Sequence, residues 1–430
     1  MKKLHSFIVL CITVLQGTCA FAQRPMSLQE MFVRADSVNT SIQAAQLGLE
    51  SARAAETAAR NAYLPSIDAS LSVSYNGDGI IMDRNFSNAF TAKIPSFGNN
   101  FKLEASQVIF AGGAISHSVA LAESGTRLAR FEAEKNRNEV RFLIAGNYIQ
   151  MCKLRNQIQV LDNSLELTRQ LIEKMQARVD NGTALQTDVN RLELLMDNLE
   201  YTRIQLESAR EIVGKELSTA LGLGDEIPVV SDNLPEADTD GDWLEDALAH
   251  SPAIQITDAM VQMAEHKEKI ARAERLPQIF LFAGEYLDGP ILIEIPAINK
   301  NFNYWAVGIG IRYNFASLYK SPKNIRQAHF ATEQARVKLQ ETREKISLAV
   351  MAARTDYRNA FRLLDTKNRS VRLARENYDQ VRYRYEEGLA TVESLLDVSN
   401  QLLDARMQEV NARMNIAYNR YKLEYISGII

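Results

Sequence analysis

The sequence predicts a mostly α-helical chain with a small transmembrane β part, laid out as two structural repeats that each carry two strands and one very long helix. Three observations predict it: landmarks that recur at a nearly constant offset, short alternating segments, and long segments free of helix breakers. Ile42 and Leu64-Pro65 match Ile254 and Leu276-Pro277 at an offset of 212, Phe110-Ala111 matches Phe315-Ala316 at 205, and Gly182 and Gly222 match Gly388 and Gly428 at 206. A drift of a few residues across the chain marks a duplication, which overrides the two or three ordinary domains that length alone suggests.

In chain order, residues 1–22 read as a cleavable export signal. Lys2 and Lys3 precede an apolar run from about Leu4 to Leu15, and Ala20-Phe21-Ala22 stands before Gln23, the expected mature start. Lipidation at Cys19 is disfavoured, because Gln16-Gly17-Thr18 makes a poor lipobox. Beyond the signal no run of 18 or more apolar residues occurs, so the chain can enter a membrane only as strands.

The first repeat spans 23–222. A helix from Leu28 to Leu64 leads to a strand pair within 66–110. In Ser66–Tyr75, Ile67, Ala69, Leu71, Val73 and Tyr75 alternate with Asp68, Ser70, Ser72 and Ser74; in the partner, Phe101, Leu103, Ala105 and Ile109 oppose Lys102, Glu104 and Ser106. A strand of about eleven residues, tilted, spans about 25 Å, the height of an outer-membrane hydrophobic band. From 115 to 181 there is no proline, and glycine only at Gly125 and Gly146, so a helix of about 100 Å is expected. Its lower part carries a heptad seam at Leu154, Ile158, Leu161, Leu165, Thr168, Ile172, Met175 and Val179. After a tight turn the return helix, 187–221, resumes it at Leu185, Val189, Leu192, Met196 and Leu199.

Residues 223–242 form an acidic connector. Asp238-x-Asp240-x-Asp242 hints at a calcium loop, but Trp243 stands where glycine is required and Ala249 where a glutamate ligand is required.

The second repeat spans 243–430. A helix from Trp243 to Leu276 precedes a strand pair within 278–315, in which Trp305, Val307, Ile309, Ile311, Tyr313 and Phe315 oppose Ala306, Gly308, Gly310, Arg312 and Asn314. Gln278–Tyr286 is apolar on both faces, and its facing stays open. The long helix, 321–387, bears a seam at Ile346, Val350, Ala353, Tyr357, Ala360, Leu364, Lys367, Val371, Ala374, Tyr378, Val381 and Tyr385. The return helix, 392–427, continues it through Leu395, Val398, Leu402 and Ala405. From their lengths, a return helix and the next repeat's first helix are expected to stack end to end beside one long helix.

Four strands cannot close a barrel, and an open edge in lipid leaves backbone groups unsatisfied at several kcal/mol each, so copies must assemble. Two copies would give a filled barrel; three or more leave a lumen. Composition excludes other classes. Without Lys2 and Lys3, 47 basic residues face 53 acidic ones, a net charge of −6 and no nucleic-acid binder. Cys11 and Cys19 lie in the signal, which leaves Cys152 alone as a small packed residue. His117, His250, His266 and His329 show no metal-ligand spacing, and Gly112-Gly113 lacks a phosphate-loop pattern. No catalytic constellation is present, and neither an enzyme nor a cofactor is expected.

Tyr63-Leu64-Pro65-Ser66, Phe110-Ala111-Gly112-Gly113, Arg178 with Gly182 and Thr187-Asp188, and Tyr385-Glu386-Glu387-Gly388 followed by Asp397 form an ordered, duplicated set of motifs. In these residues the chain resembles the TolC-type outer-membrane efflux proteins, the outer membrane factors of tripartite pumps, and the resemblance covers nearly all of the mature chain. It implies a homotrimer in outer-membrane lipid, sharing a 12-stranded β-barrel continued by a long α-helical periplasmic tunnel with coiled-coil tips. It also implies a periplasmic adaptor (membrane fusion) protein and an inner-membrane pump of RND, ABC or MFS type as partners. The chain is then a passive conduit in the bacterial outer membrane with a long periplasmic extension.

The resemblance further implies that Thr187, Asp188 and Tyr385 hold the tunnel tip closed, with Tyr385 to Asp188 as a closing contact and Asp397 as an acidic lumen ring. Arg178, Gly182 and Gly388 mark the adaptor-docking turns. Ala390 stands where the best-known members carry Arg, and Ser394, beside Glu393, where they carry Asp, so fewer charged links are expected. The competing class is a periplasmic coiled-coil scaffold without a channel, which has no use for four alternating strands. A solute-specific porin would bring enough strands to close a barrel alone.

Overall fold

In a computed structural model of the chain, residues 25–230 and 242–430 are described. The expected signal, Cys19 and most of the acidic connector, including Asp238 and Asp240, lie outside them.

Helix α1 (Leu28–Val38) opens on a capping box: Ser27 Oγ accepts the Glu30 backbone N–H at 3.3 Å, and Glu30 Oε2 accepts that of Ser27 at 2.8 Å. It ends at Asn39 instead of running on to Leu64. Asn39 is extended, and its Oδ1 accepts the N–H groups of Ser41 and Ile42 at 3.0 and 3.3 Å, capping a second helix, α2 (Thr40–Arg60). A 3-10 turn, Asn61–Tyr63, follows, and Pro65 keeps Leu64 extended. The helix expected over Trp243–Leu276 is likewise divided, into α5 (Trp243–His250) and α6 (Pro252–Ala273). Pro252 lacks the N–H that would continue the ladder and holds Ser251 out of the helical region.

The long helices are α3 (Ala114–Asp180) and α7 (Ser317–Glu386), and the return helices α4 (Gln186–Ala220) and α8 (Val392–Ser427). α7 starts four residues earlier than expected, and Pro322 in its second turn forfeits one bond to the Leu318 carbonyl. Among the described residues no helix is long and apolar enough to cross a membrane.

The described residues group into two compact units, and each takes segments from both expected repeats. One unit holds Ala45–Glu134 and Pro252–Lys345. It contains an antiparallel sheet of β1 (Ser66–Tyr75), β4 (Phe97–Phe110), β5 (Gln278–Gly289) and β6 (Phe302–Arg312), in that order. An unanticipated small hairpin, β2 (Gly79–Ile81) with β3 (Phe90–Ala92), lies between β1 and β4 in the chain.

Register resolves the facing that the sequence left open. Leu71 pairs with Phe101, which pairs with Leu287; Ala105 pairs with Ala283, which pairs with Val307. One face is therefore mainly apolar from edge to edge, with Glu285 between Leu103 and Trp305, Gln107 opposite Leu281, Asn99 opposite Val73 and Asn303 opposite Leu287 as its polar members. The opposite face carries Ser70, Lys102 and Glu104 on β1 and β4, and Phe280, Phe282 and Tyr286 on β5. The Phe280 and Phe282 rings lie over Gly310 and Gly308, their cross-strand partners, which is why β5 reads as apolar on both faces.

The other unit comprises Lys135–Ser251, Ile346–Ile430 and the described part of Met1–Ala44. Its largest apolar cluster joins Met31 and Phe32 of α1, Ile144, Tyr148 and Cys152 of α3, Leu217 and Leu221 at the end of α4, and Tyr421 of α8. Asp36 of α1 receives Arg137 Nη2 at 2.7 Å and Arg141 Nη2 beside this core. A second cluster packs Trp243 and Ala247 against Val350, Ala353, Tyr357 and Leu423. Seam positions of α3 and α7 are buried or half-buried throughout; of the seam residues beyond the turns, Leu185 stands out at 68 % exposure.

Candidate functional site

The candidate site is the turn end of the two long and two return helices, and its residues lie within one unit. Both turns use the same bonding. Gly182 N–H donates to the Val179 carbonyl and Thr183 N–H to that of Arg178, each at 2.8 Å; Gly388 and Leu389 repeat this with Tyr385 and Arg384 at 3.0 and 2.7 Å. These paired bonds satisfy the last helical carbonyls and place the glycines at φ +72° and +74°, which a residue with a Cβ adopts only with strain. A side chain at either glycine would meet open space, so both turns are surface features.

Behind the turns the helices share an apolar cluster of Met175, Val189, Leu192, Tyr378, Tyr385, Val392, Leu395, Val398 and Leu402. Tyr385 is 9 % exposed, and its hydroxyl donates to Met175 Sδ at 3.6 Å. The Arg178 guanidinium stands 5.0 Å from the Tyr385 ring centre, and its Nη2 donates to the Glu386 carbonyl at 3.2 Å. Burial pushes the Tyr385 phenol up; the Arg178 charge opposes this and the Asp188 charge adds to it.

Asp188 thus lies within electrostatic reach of Tyr385, but among the described residues no hydrogen bond joins the two within the chain. Thr187 is exposed in the first turn of α4. Asp397 is also exposed and, among the described residues, accepts only from Gln401 Nε2 of its own helix, at 2.9 Å. The two departures in sequence have local roles: Ala390 packs against the apolar cluster, and the Ser394 N–H donates to Thr391 Oγ1 at 3.2 Å, capping α8. Met175 was legible as a seam residue but not as the partner of the Tyr385 hydroxyl. Among the described residues no cluster of His, Cys, Asp and Glu could hold a metal.

The family described as Outer membrane efflux protein matches residues 33–223 and 243–428. Outer membrane efflux protein BepC of Brucella suis biovar 1 (strain 1330) is 22% identical over 353 residues, covering 80% of this chain and 72% of that protein. The outer membrane protein VceC from Vibrio cholerae has a similar fold, with a TM-score of 0.80 at 16% identity over 93% of this chain and 96% of its own. The CmeC outer membrane channel of Campylobacter jejuni gives 0.79 at 17% identity, over 93% and 85%.

Proposed function

The chain belongs to the outer membrane efflux protein family, and on that premise we propose that it is the channel subunit of a tripartite efflux or secretion system, a passive conduit without enzymatic activity. The observation that carries this reading is the open sheet. Its four antiparallel strands leave β1 and β6 as free edges, and in the order β1-β4-β5-β6 these two run in opposite directions. The β6 edge of one copy therefore continues onto the β1 edge of the next as a further antiparallel pair. Three copies give twelve strands and a lumen, with the apolar face toward lipid and no edge left open.

The remaining parts take their roles from this arrangement. The duplicated plan, 23–222 and 243–430, supplies each subunit with two helical hairpins. Asp188, Thr187 and Asp397 line the narrow end, with the buried Tyr385 behind them, and the exposed turns at Gly182 and Gly388, with Arg178, dock a periplasmic adaptor that links the conduit to an inner-membrane pump. A coiled-coil scaffold would have no use for a sheet with one mainly apolar face. The test is assembly and conductance together. The protein should fractionate with the outer membrane, stay trimeric in mild detergent and conduct in a planar bilayer; a non-conducting monomer would sink the proposal. Crosslinking from Thr183 or Leu389 in cells should capture the adaptor.

A further inference from the structure

If the apolar face meets lipid, the opposite face lines the lumen, and its two halves differ. On β1 and β4 it is polar, with Ser70, Ser72 and the ion pair of Lys102 with Glu104 at 2.7 Å. On β5 and β6 it is a row of rings. Phe280 and Phe282 come first, over their glycines. Tyr286 and Tyr304 follow, directly opposed across the strands and stacked with 4.9 Å between ring centres and 16° between planes. Tyr304 in turn stacks on Phe302 at 5.2 Å and 30°. At the helix end of the row stands Arg312, its guanidinium 5.3 Å from the Phe280 ring centre and without a carboxylate partner among the described residues.

Covering strand glycines accounts for Phe280, Phe282 and Tyr286, the last lying against Gly284. It does not account for Phe302 and Tyr304, nor for an exposed cation with no carboxylate partner among the described residues at the start of a ring row. We propose that this half of the wall is a transit site for ring-bearing organic anions, whose flat apolar part slides along the rings while the acidic group is met by Arg312. The complement is one of shape and charge: π-faces for a flat ring system, one free guanidinium for one negative group. Stacking and a single exposed ion pair are each weak, as suits a surface that must also release its solute. The inference rests on the conduit reading and names a substrate class for it.

The test uses the full-length trimer in phosphatidylcholine nanodiscs, with saturation-transfer NMR as the readout. Naphthalene-2-sulfonate is the probe, and cyclohexanesulfonate and 2-naphthylmethylammonium are the controls. Saturable binding of the aromatic anion is expected, at least threefold tighter than either control. It should weaken at least threefold in Arg312→Gln and in Phe280→Leu/Phe282→Leu, which keeps the glycines covered. Should the double variant fail to assemble, Tyr304→Leu, whose ring covers no glycine, makes the same comparison. Equal binding by native protein and variants, or by probe and controls, overturns the inference. Single-channel conductance of the same preparation separates the two readings: trimers that conduct but do not discriminate overturn the transit site alone, and trimers that do not conduct overturn the conduit.

Discussion

Tyr385 of α7 and Met175 of α3 meet through a hydroxyl-to-sulfur bond of 3.6 Å, so the tip's buried phenol is satisfied by a thioether and not by a carboxylate. Tyr385→Phe should then cost no more than about 1 kcal/mol and barely change single-channel conductance, because the ring and its Arg178 cover stay. Arg178→Ala removes both the ring contact and the bond to Glu386, and should raise conductance. Opening by Tyr385→Phe alone would instead give the hydroxyl a second partner in the assembled tip, with Asp188 the candidate.

Asp36 anchors α1 to α3 through Arg137 and Arg141. Burial works to raise its carboxyl, but the hydrogen bonds and charges of the two arginines outweigh this and hold it below the ordinary carboxylate value. A depressed folded value stabilises fully above the unfolded value of about 4 and is lost as pH falls through the folded one. Asp36→Asn should cost about 1–3 kcal/mol at pH 7. Helical circular dichroism during urea unfolding should show the gap between native protein and variant closing as pH is lowered below 4.

Cys152 is 1 % exposed, and burial raises its thiol, against the opposing charge of Arg155. Maleimide labelling at pH 7 should be slow in the folded protein and fast in guanidinium chloride. Rapid native labelling would mean that the cluster around Tyr148 and Leu217 opens readily.

Leu71 and Ser70 are neighbours on opposite faces of β1. Leu71→Lys places an ammonium in the band proposed to meet lipid, at about 2–4 kcal/mol if near its middle, whereas Ser70→Lys, on the face proposed to line the lumen, should be tolerated. Heat-stable trimer on a gel, compared between the two, reads the facing directly; the reverse order would invert the sheet.

Much of the fold was legible because helical seams and alternating strands carry strong periods. Met175, Tyr378, Leu395 and Val398 were placed by spacing alone and are buried. The misses have local causes. Asn39 breaks a long helical pattern by capping within it, and Ser251-Pro252 divides another, where a stretch rich in helix formers on both sides masked the stop. β5 could not be faced from its own residues, because Phe280 and Phe282 serve glycines on a neighbouring strand, a relation visible only in register. At the tip, Gly182 and Gly388 were legible as turns, but the Met175 contact of Tyr385 depends on how two hairpins from distant parts of the chain pack, which no single segment encodes.

The free edges of β1 and β6 carry a genetic consequence. In the proposed trimer each edge is completed by another copy, so a defect there would be visible in trans, a faulty β6 leaving its neighbour's sound β1 without a mate. Substitutions along these two strands should behave as dominant when native and variant alleles share a cell, while damage confined to α1 or to the Cys152 cluster should stay recessive, harming only the copy that bears it.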